Sequence, residues 1–296
     1  MANPEHGKRV LITGGNGQLG SDLTEQLVGR AEVRSATRAD LDIADDDAVA
    51  RAIDDFEPDT VINCAAFVNV DLCEREEETA LRINGVAVKR MAQLCAEAGA
   101  KLVHLSTNYV FDGRAPEPYA EHDRPNPRSV YGISKLTGEY AALSYEPSSL
   151  VIRGSGLYGL NGSGAKGGNF ITRILQRARD EGQVTMVRDQ RLQPTYTHDL
   201  AEVLLDAVEM DATGLLHLTA SGECSWLEFS EAIFEIAGVS PKINVVDTSP
   251  APGVADRPLN GVLARPRADE IGIPRLRHWR EALEDYMVRA GYAAGP

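Results

Sequence analysis

Tyr131-Gly-Ile-Ser-Lys135 sets a phenol and an ammonium four residues apart. Four residues are slightly more than one helical turn, so on a helix both side chains leave the same face. Ser106 and Thr107 stand upstream and offer two hydroxyls. A free tyrosine, with a pKa of about 10, is a poor acid–base catalyst at neutral pH. A lysine charge roughly 5 Å away, at an effective dielectric of about 20, favours the phenolate by about 3 kcal/mol. That is roughly 2.4 pK units. The spacing therefore predicts a lysine-tuned phenol able to move a proton at a reacting oxygen. The same spacing also fits a solvated helix face, so its weight depends on what surrounds it.

A place for a redox cofactor lies at the N-terminus. Lys8-Arg9-Val10-Leu11-Ile12 reads as a short buried strand, and a helical pattern runs from Ser21 to about Val28. Between them, Gly14, Gly17 and Gly20 give G-x-x-G-x-x-G, with Gln18 and Leu19 inside the motif. Gly14 suits the tight turn, Gly17 lets backbone approach a pyrophosphate, and Gly20 lets helix pack on strand. The amides that open the helix are available to phosphates. A glycine pattern alone could be a plain turn; the strand–loop–helix setting makes a dinucleotide site the expectation. Beyond the second strand, Arg38 favours a ribose 2′-phosphate, while Asp40 and Asp42 lie close. Asp42-Ile43 is assigned to the adenine or to capping the next helix. The balance predicts NADP(H), with NADH as the alternative.

Composition narrows the partners. The chain has 296 residues, with 44 Asp and Glu against 30 Lys and Arg, a net charge of −14. That argues against nucleic acid or an anionic membrane as the main partner. Anionic small ligands stay open, since they need only local cations. No apolar run approaches the ~18 residues of a membrane span, and no signal-peptide pattern precedes the first strand. Cys64, Cys73, Cys95 and Cys224 show no metal spacing, so a reduced cytoplasm and no metal centre are expected. Asp45-Asp46-Asp47 reads as a helix start.

The middle of the chain alternates strand and helix. Strands are predicted at 32–36, 60–64, 101–105 and 150–152, and helices at 48–56, 76–97 (interrupted near Gly85) and 129–144. This rhythm implies an α/β fold with a Rossmann-type, doubly wound parallel sheet. Ligands in such sheets bind at the carboxyl ends of strands. The glycine loop, Asn63–Ala66 and Ser106-Thr107 all fall at such ends. After residue 158 the rhythm breaks. A helix is expected from Phe170 to about Asp180, strands at 183–188 and 215–218, and a capped helix after Ser225 that ends near Gly238. Residues 240–261, with four prolines, read as an irregular lid. The predicted division is a dinucleotide-binding domain over 1–158 plus roughly 195–218, and a smaller, mixed α/β substrate domain over 159–194 and 219–296.

With these segments in view, the chain resembles the extended short-chain dehydrogenases/reductases and, more narrowly, the dTDP-4-dehydrorhamnose reductase family. The likeness runs over almost the full length. It rests on G-G-N-G-Q-L-G (14–20), N-C-A-A (63–66), S-T-N-Y-V-F (106–111), Y-G-I-S-K (131–135), Gly168-Asn169-Phe170, Asp189-Gln190 with Pro194-Thr195, H-L-T-A-S-G-E-C-S-W-L-E-F (217–229), and Arg257-Pro258 with Asn260. The resemblance implies NADPH-dependent reduction of the C4 ketone of a nucleotide-linked 4-keto-6-deoxyhexose. Tyr131 would protonate the nascent alkoxide, Lys135 would tune it and hold the nicotinamide ribose, and Thr107 would orient the carbonyl. Cys64, Ala65, Ala66 and Asn84 would lie against the cofactor, although Asn84 also reads as helix punctuation before Gly85. Ser106, Asn108, Asn169 and Arg257 would meet substrate, Arg257 at the diphosphate. Lys166 is a further phosphate candidate. A homodimer is the candidate assembly.

Two departures bear on the sugar. Asn108 stands where many members carry aspartate, and Gly156 stands where a tryptophan is common. An aromatic wall would then come from Tyr196 or Phe67. Two other functions stay open. One is a related nucleotide-sugar epimerase or dehydratase, disfavoured by Asn108-Tyr109 where a dehydratase would carry an Asp-Glu pair. The other is a non-catalytic cofactor-binding subunit like the regulatory partner of methionine adenosyltransferase.

Overall fold

The computed structural model describes residues 8–162, 168–249, 251 and 254–293. The chain begins with β1 (Arg9–Thr13), α1 (Gln18–Gln26), β2 (Glu32–Ala36), α2 (Asp46–Phe56) and β3 (Thr60–Asn63). A short α3 (Val70–Cys73) and α4 (Glu77–Leu81) lead through a π-helical turn, Arg82–Val86, into α5 (Ala87–Ala98). Next come β4 (Lys101–Thr107), α6 (Val130–Tyr145), β5 (Leu150–Gly154), β6 (Leu157–Tyr158) and α7 (Phe170–Glu181). The remainder is β7 (Gln183–Val187), β8 (Arg191–Leu192), β9 (Thr195–Tyr196), α8 (Thr197–Glu209), β10 (Gly214–His217), β11 (Cys224–Ser225), α9 (Trp226–Ala237), β12 (Lys242–Val246), α10 (Pro266–Glu270) and α11 (Trp279–Arg289).

Six strands make one parallel sheet in the order β2-β1-β3-β4-β5-β10. The order reverses between β1 and β3, which opens a crevice at their carboxyl ends. Strand alternation sends Val10, Ile12, Ile62, Val103 and Ile152 to one face, against α1 and α8. Leu11, Val61, Leu102 and Val151 go to the other face, against α2, α5 and α6. Full burial of each such side chain is worth roughly 1.5–3 kcal/mol. Helices therefore cover both faces of the sheet, as the sequence rhythm requires. Asp45 caps α2, its carboxylate accepting from the Ala48 amide at 3.0 Å.

A third core gathers Tyr158, Ile171, Leu175, Tyr196, Phe229, Ile233, Leu283 and Tyr286 from α7, α9, α11 and the strands beside them. The Ser225 capping box at the start of α9 is present in full. Three features differ from expectation. The sequence reading assigns no element to Thr197–Glu209, where α8 lies and packs on the first core. Residues 240–261 are not wholly irregular: β12 pairs in parallel with β7. β12 itself, Lys242–Val246, contains no proline, so its ladder lacks no donor. Finally, Ala268, Ile273 and Leu276 pack into the core beneath the large sheet, although they belong to the C-terminal stretch.

Candidate active site

The carboxyl ends of β1, β3, β4 and β5 open into one cavity of about 1220 Å³. Its floor at one end is the glycine turn. Gly14 has φ +68°, and a Cβ there would stand 2.8 Å from the Ala65 amide nitrogen. A Cβ at Gly20 would meet the Gly14 carbonyl oxygen at 2.3 Å. The turn can pass against the end of β3 only because both positions lack side chains. At Gly17, α1 opens with no side-chain cap, and Gly17, Gln18 and Leu19 line the cavity. These first amides suit an anionic diphosphate. Gln18 spends its own amide on protein, accepting from the Gly159 amide at 3.0 Å.

Further along this end lie Arg38, Asp42 and Ile43. Arg38 reaches within 3.7 Å of Asp42, and its side chain is 80% exposed, free to meet a ligand phosphate. Asp42 also accepts from the Ala44 amide. Cys64, Ala65 and Ala66 form the opposite wall. Burial pushes the Cys64 thiol up to about 12, so it is an uncharged surface there. Asn84 requires a correction. It does not line the cavity; its Oδ1 accepts from the Phe67 amide at 2.8 Å, and its Nδ2 donates to the Phe67 carbonyl and to Ser134 Oγ. Both ends of the amide are engaged in tying the loop after β3 to α6, so Asn84 acts on the wall by holding that loop.

Thr107, at the end of β4, and Tyr131 and Lys135, on α6, meet in the middle of the cavity. Ser129 starts α6 as its N-cap, accepting from the Gly132 amide at 3.1 Å. The Thr107 side chain lies beside the Tyr131 phenol, while its hydroxyl donates to Asn108 Oδ1 at 3.3 Å and accepts from the Tyr109 amide at 3.3 Å. The electrostatics differ from the spacing argument. Burial raises the Tyr131 pKa above its ordinary value; the Thr107 side chain pulls it down, while Tyr109 and Cys73 push it up. Desolvation outweighs the nearby help, and the phenol is held protonated. Lys135 shifts instead: burial lowers it to about 8, with Glu139 and then Cys64 acting the other way. Its Nζ lies 3.3 Å from His104 Nε2.

The rest of the cavity is lined by Ser106, Asn108, Asn169 and Arg257, among others. Much of their hydrogen bonding is internal. Ser106 donates to Glu139 at 2.5 Å, and Asn108 donates to the Gly261 carbonyl at 3.0 Å. Asn169 caps α7 with its Oδ1 and donates through Nδ2 to the Gly159 carbonyl and the Tyr286 hydroxyl. Arg257 donates to Asp71 at 2.8 Å and also binds the Tyr109 hydroxyl. Lys166 lies outside the described residues. Tyr196 cannot form the aromatic wall: it is fully buried and stacked on Tyr158. Phe67 does line the cavity, and so do Phe170 and Trp226, which the sequence reading missed as aromatic lining and whose rings stand 4.4 Å apart. Trp226 follows the capping residue Ser225 directly, so the capping box could have placed it at a helix start facing the crevice. Arg173, one turn beyond the Asn169 cap, was missed too and also lines the cavity. At Gly156, φ is +58° and a Cβ would lie 2.7 Å from Leu192 Cδ1, so Leu192 holds the ground that a larger residue would take.

The family model described as RmlD substrate binding domain matches residues 8–291. The chain belongs to this family. Among the relatives of this RmlD-family chain, the spore coat polysaccharide biosynthesis protein SpsK of Bacillus subtilis is 40% identical over 280 residues, covering 94% of this chain and 96% of that one. A dTDP-4-dehydrorhamnose reductase of Streptomyces griseus is 38% identical over 297 residues, covering 97% and 96%. The solved structure of dTDP-4-dehydrorhamnose reductase from Bacillus anthracis, in complex with NADP, superposes with a TM-score of 0.91 at 32% identity, covering 96% of this chain and 99% of that one. Among the described residues no grouping of side chains could hold a metal ion, and no helix is long and apolar enough to cross a membrane.

Proposed function

We propose that this chain is an NADPH-dependent oxidoreductase that reduces the C4 ketone of a dTDP-linked 4-keto-6-deoxyhexose, dTDP-4-dehydro-L-rhamnose in the first instance. The observation that carries the reading is the convergence of Thr107, Tyr131 and Lys135 on the same cavity as the side-chain-free glycine turn. The family relatives named as dTDP-4-dehydrorhamnose reductases support the substrate, and the NADP-bound neighbour supports the cofactor.

The residues present fit a dinucleotide. The uncapped start of α1 would take the diphosphate, Arg38 the 2′-phosphate, and Cys64-Ala65-Ala66 the flat face near the nicotinamide. That ring, when bound, supplies the hydride. Thr107 orients the C4 oxygen toward the phenol, and Tyr131 gives its proton to the alkoxide as it forms. A phenol kept protonated by burial is the right starting state for this direction, since a reductase needs its donor loaded. Lys135, with a pKa of about 8, sits near working pH and can return a proton to the site. Arg257 and Arg173 are the cations for the sugar diphosphate, and Phe67, Phe170 and Trp226 offer apolar faces to sugar or base. The reading keeps the division into cofactor and substrate parts, and it carries a reduced cytoplasmic location, supported by the thiols at Cys64, Cys95 and Cys224.

The deciding assay mixes the purified chain with NADPH and dTDP-4-dehydro-L-rhamnose and follows loss of the reduced-nicotinamide absorbance. Stoichiometric oxidation with formation of dTDP-L-rhamnose is the expected result. Sugar turnover without net oxidation would make it an epimerase or dehydratase, and binding without turnover would make it a regulatory subunit.

A further inference from the structure

His104 is fully buried on β4 and has no part in the trio above. Its two ring nitrogens face two different groups. Nδ1 lies 3.1 Å from Asn63 Nδ2, and Nε2 lies 3.3 Å from Lys135 Nζ. Which nitrogen carries the proton follows from Asn63. The Ala65 amide donates to Asn63 Oδ1 at 3.2 Å, and the Thr13 hydroxyl donates to the same oxygen at 2.7 Å. A backbone N–H cannot turn round, so the Asn63 oxygen must face Ala65 and its NH₂ must face His104. A flipped amide would set donor against donor. His104 Nδ1 is therefore the acceptor, and a neutral imidazole then carries its proton on Nε2. That N–H points at Lys135, and only an amine with its lone pair free can receive it.

We propose that His104 is a positioning residue that holds Lys135 as a hydrogen-bond acceptor and so favours its neutral amine. Proton placement is set by a chain that starts at the Ala65 backbone amide and runs through Asn63 and His104 to Nζ. Packing fixes the geometry: a Cβ on Gly138 of α6 would stand 3.0 Å from His104 Nε2, so this close approach depends on the glycine. The other ionisable groups acting on Lys135 are Glu139 on its own helix and Cys64 just beyond β3, and Tyr131, one turn earlier on α6, lines the same cavity. Glu139 is already bound by two nitrogens of Arg153 and by Ser106. The ring itself is held neutral, its pKa well below the ordinary histidine value, by burial and then by the Lys135 charge.

The inference rests on the reading of Lys135 as a member of the catalytic trio, but its test observes the amine and the ring directly, so failure of either reading is visible separately. In the cofactor-free chain, ¹⁵N imidazole shifts of His104, assigned by through-bond and NOE connectivities in the parent protein, are expected to show the Nε2–H tautomer; an Nδ1–H tautomer overturns the proposal without any need for a variant to fold. The ¹³Cε resonance of Lys135, one of six lysines and assigned with Lys135→Met, reports the amine pKa. In His104→Phe that pKa is expected to rise by on the order of one unit, because a donor to the neutral amine has been removed. His104→Gln, whose oxygen can accept from Asn63 while its NH₂ donates to Lys135, is expected to stay near the parent value. A fall in His104→Phe would mean that the ammonium donates to the ring, and no movement would mean that the contact is inert; both overturn the assignment.

Discussion

Tyr131 lines the cavity on α6, and burial holds its phenol protonated. Its spacing from Lys135 announced a helix face, and the helix is there. The spacing could not convey that the phenol would be desolvated, nor that Lys135 would face His104. Burial depends on what the rest of the chain packs around a residue, and here it outweighs one nearby charge. Tyr131→Phe should lower kcat on the order of 10²–10⁴-fold, the usual worth of a placed proton donor, with NADPH affinity unchanged by fluorescence titration. Retention of near-parental kcat would remove Tyr131 from its role. Arg38 is a simpler case. It is exposed and lies beside Asp42, so its contribution is capped near 1 kcal/mol, about fivefold. Arg38→Ala should raise KM for NADPH by about that factor and leave KM for NADH in place. Equal losses for the two cofactors would move the 2′-phosphate contact to another group.

Elements explain why some residues read as ligand contacts are framework. Strand and helix periodicity made the sheet legible, because α1, α2 and α5 each bury one face against alternating strand positions. Asn84 was not legible in the same way. It sits in a π-helical turn, whose extra residue breaks the helical period and turns its amide toward the loop after β3. β5, α6 and β10 share a buried polar cluster that the sequence pattern gave no hint of, since its members are far apart in the chain. Arg153 forms a bidentate pair with Glu139, and His217 accepts from Arg153 at 3.4 Å while donating from Nδ1 to the Ala264 carbonyl at 2.7 Å. Burial and then the Arg153 charge lower His217 from 6.5 to about 3. The folded pKa lies below the unfolded one, so His217 stabilises the fold fully above about pH 6.5. That contribution declines as pH falls from there toward 3, because only the unfolded chain takes up the proton. Urea denaturation at stepped pH values should show parental stability falling more steeply across this window than that of His217→Gln, by up to one proton's worth of slope. Identical slopes would show that His217 titrates alike in both states.

At the scale of the whole molecule, the cavity has two sides that come from distant parts of the chain, and a bridge beside Tyr131 links them. Asp71, on α3, accepts from the Ala255 amide at 3.0 Å and from Arg257 at 2.8 Å. Arg257 in turn binds the Tyr109 hydroxyl, and the Tyr109 ring meets Tyr131 edge-on at 5.5 Å. No local pattern in the sequence could have paired residues 71 and 257; the pairing exists only once the sheet has brought α3 and the 254–258 segment to the same rim. The ion pair is partly exposed, so its direct worth is at most about 1 kcal/mol. Its consequence is positional. On the proposed role of Arg257, loss of Asp71 would leave the guanidinium to be ordered by the sugar diphosphate itself, while the loss of a carboxylate would ease the approach of that anion. The two effects oppose each other. The backbone bond to Ala255 decides between them, because it ties the segment as well as the side chain. Asp71→Ala should therefore raise KM for the sugar nucleotide about fivefold, with kcat and Tm nearly unchanged, and Asp71→Asn, which can still accept from Ala255, should fall between. A lower KM in Asp71→Ala would mean that repulsion dominates and that Arg257 needs no anchor to meet the diphosphate.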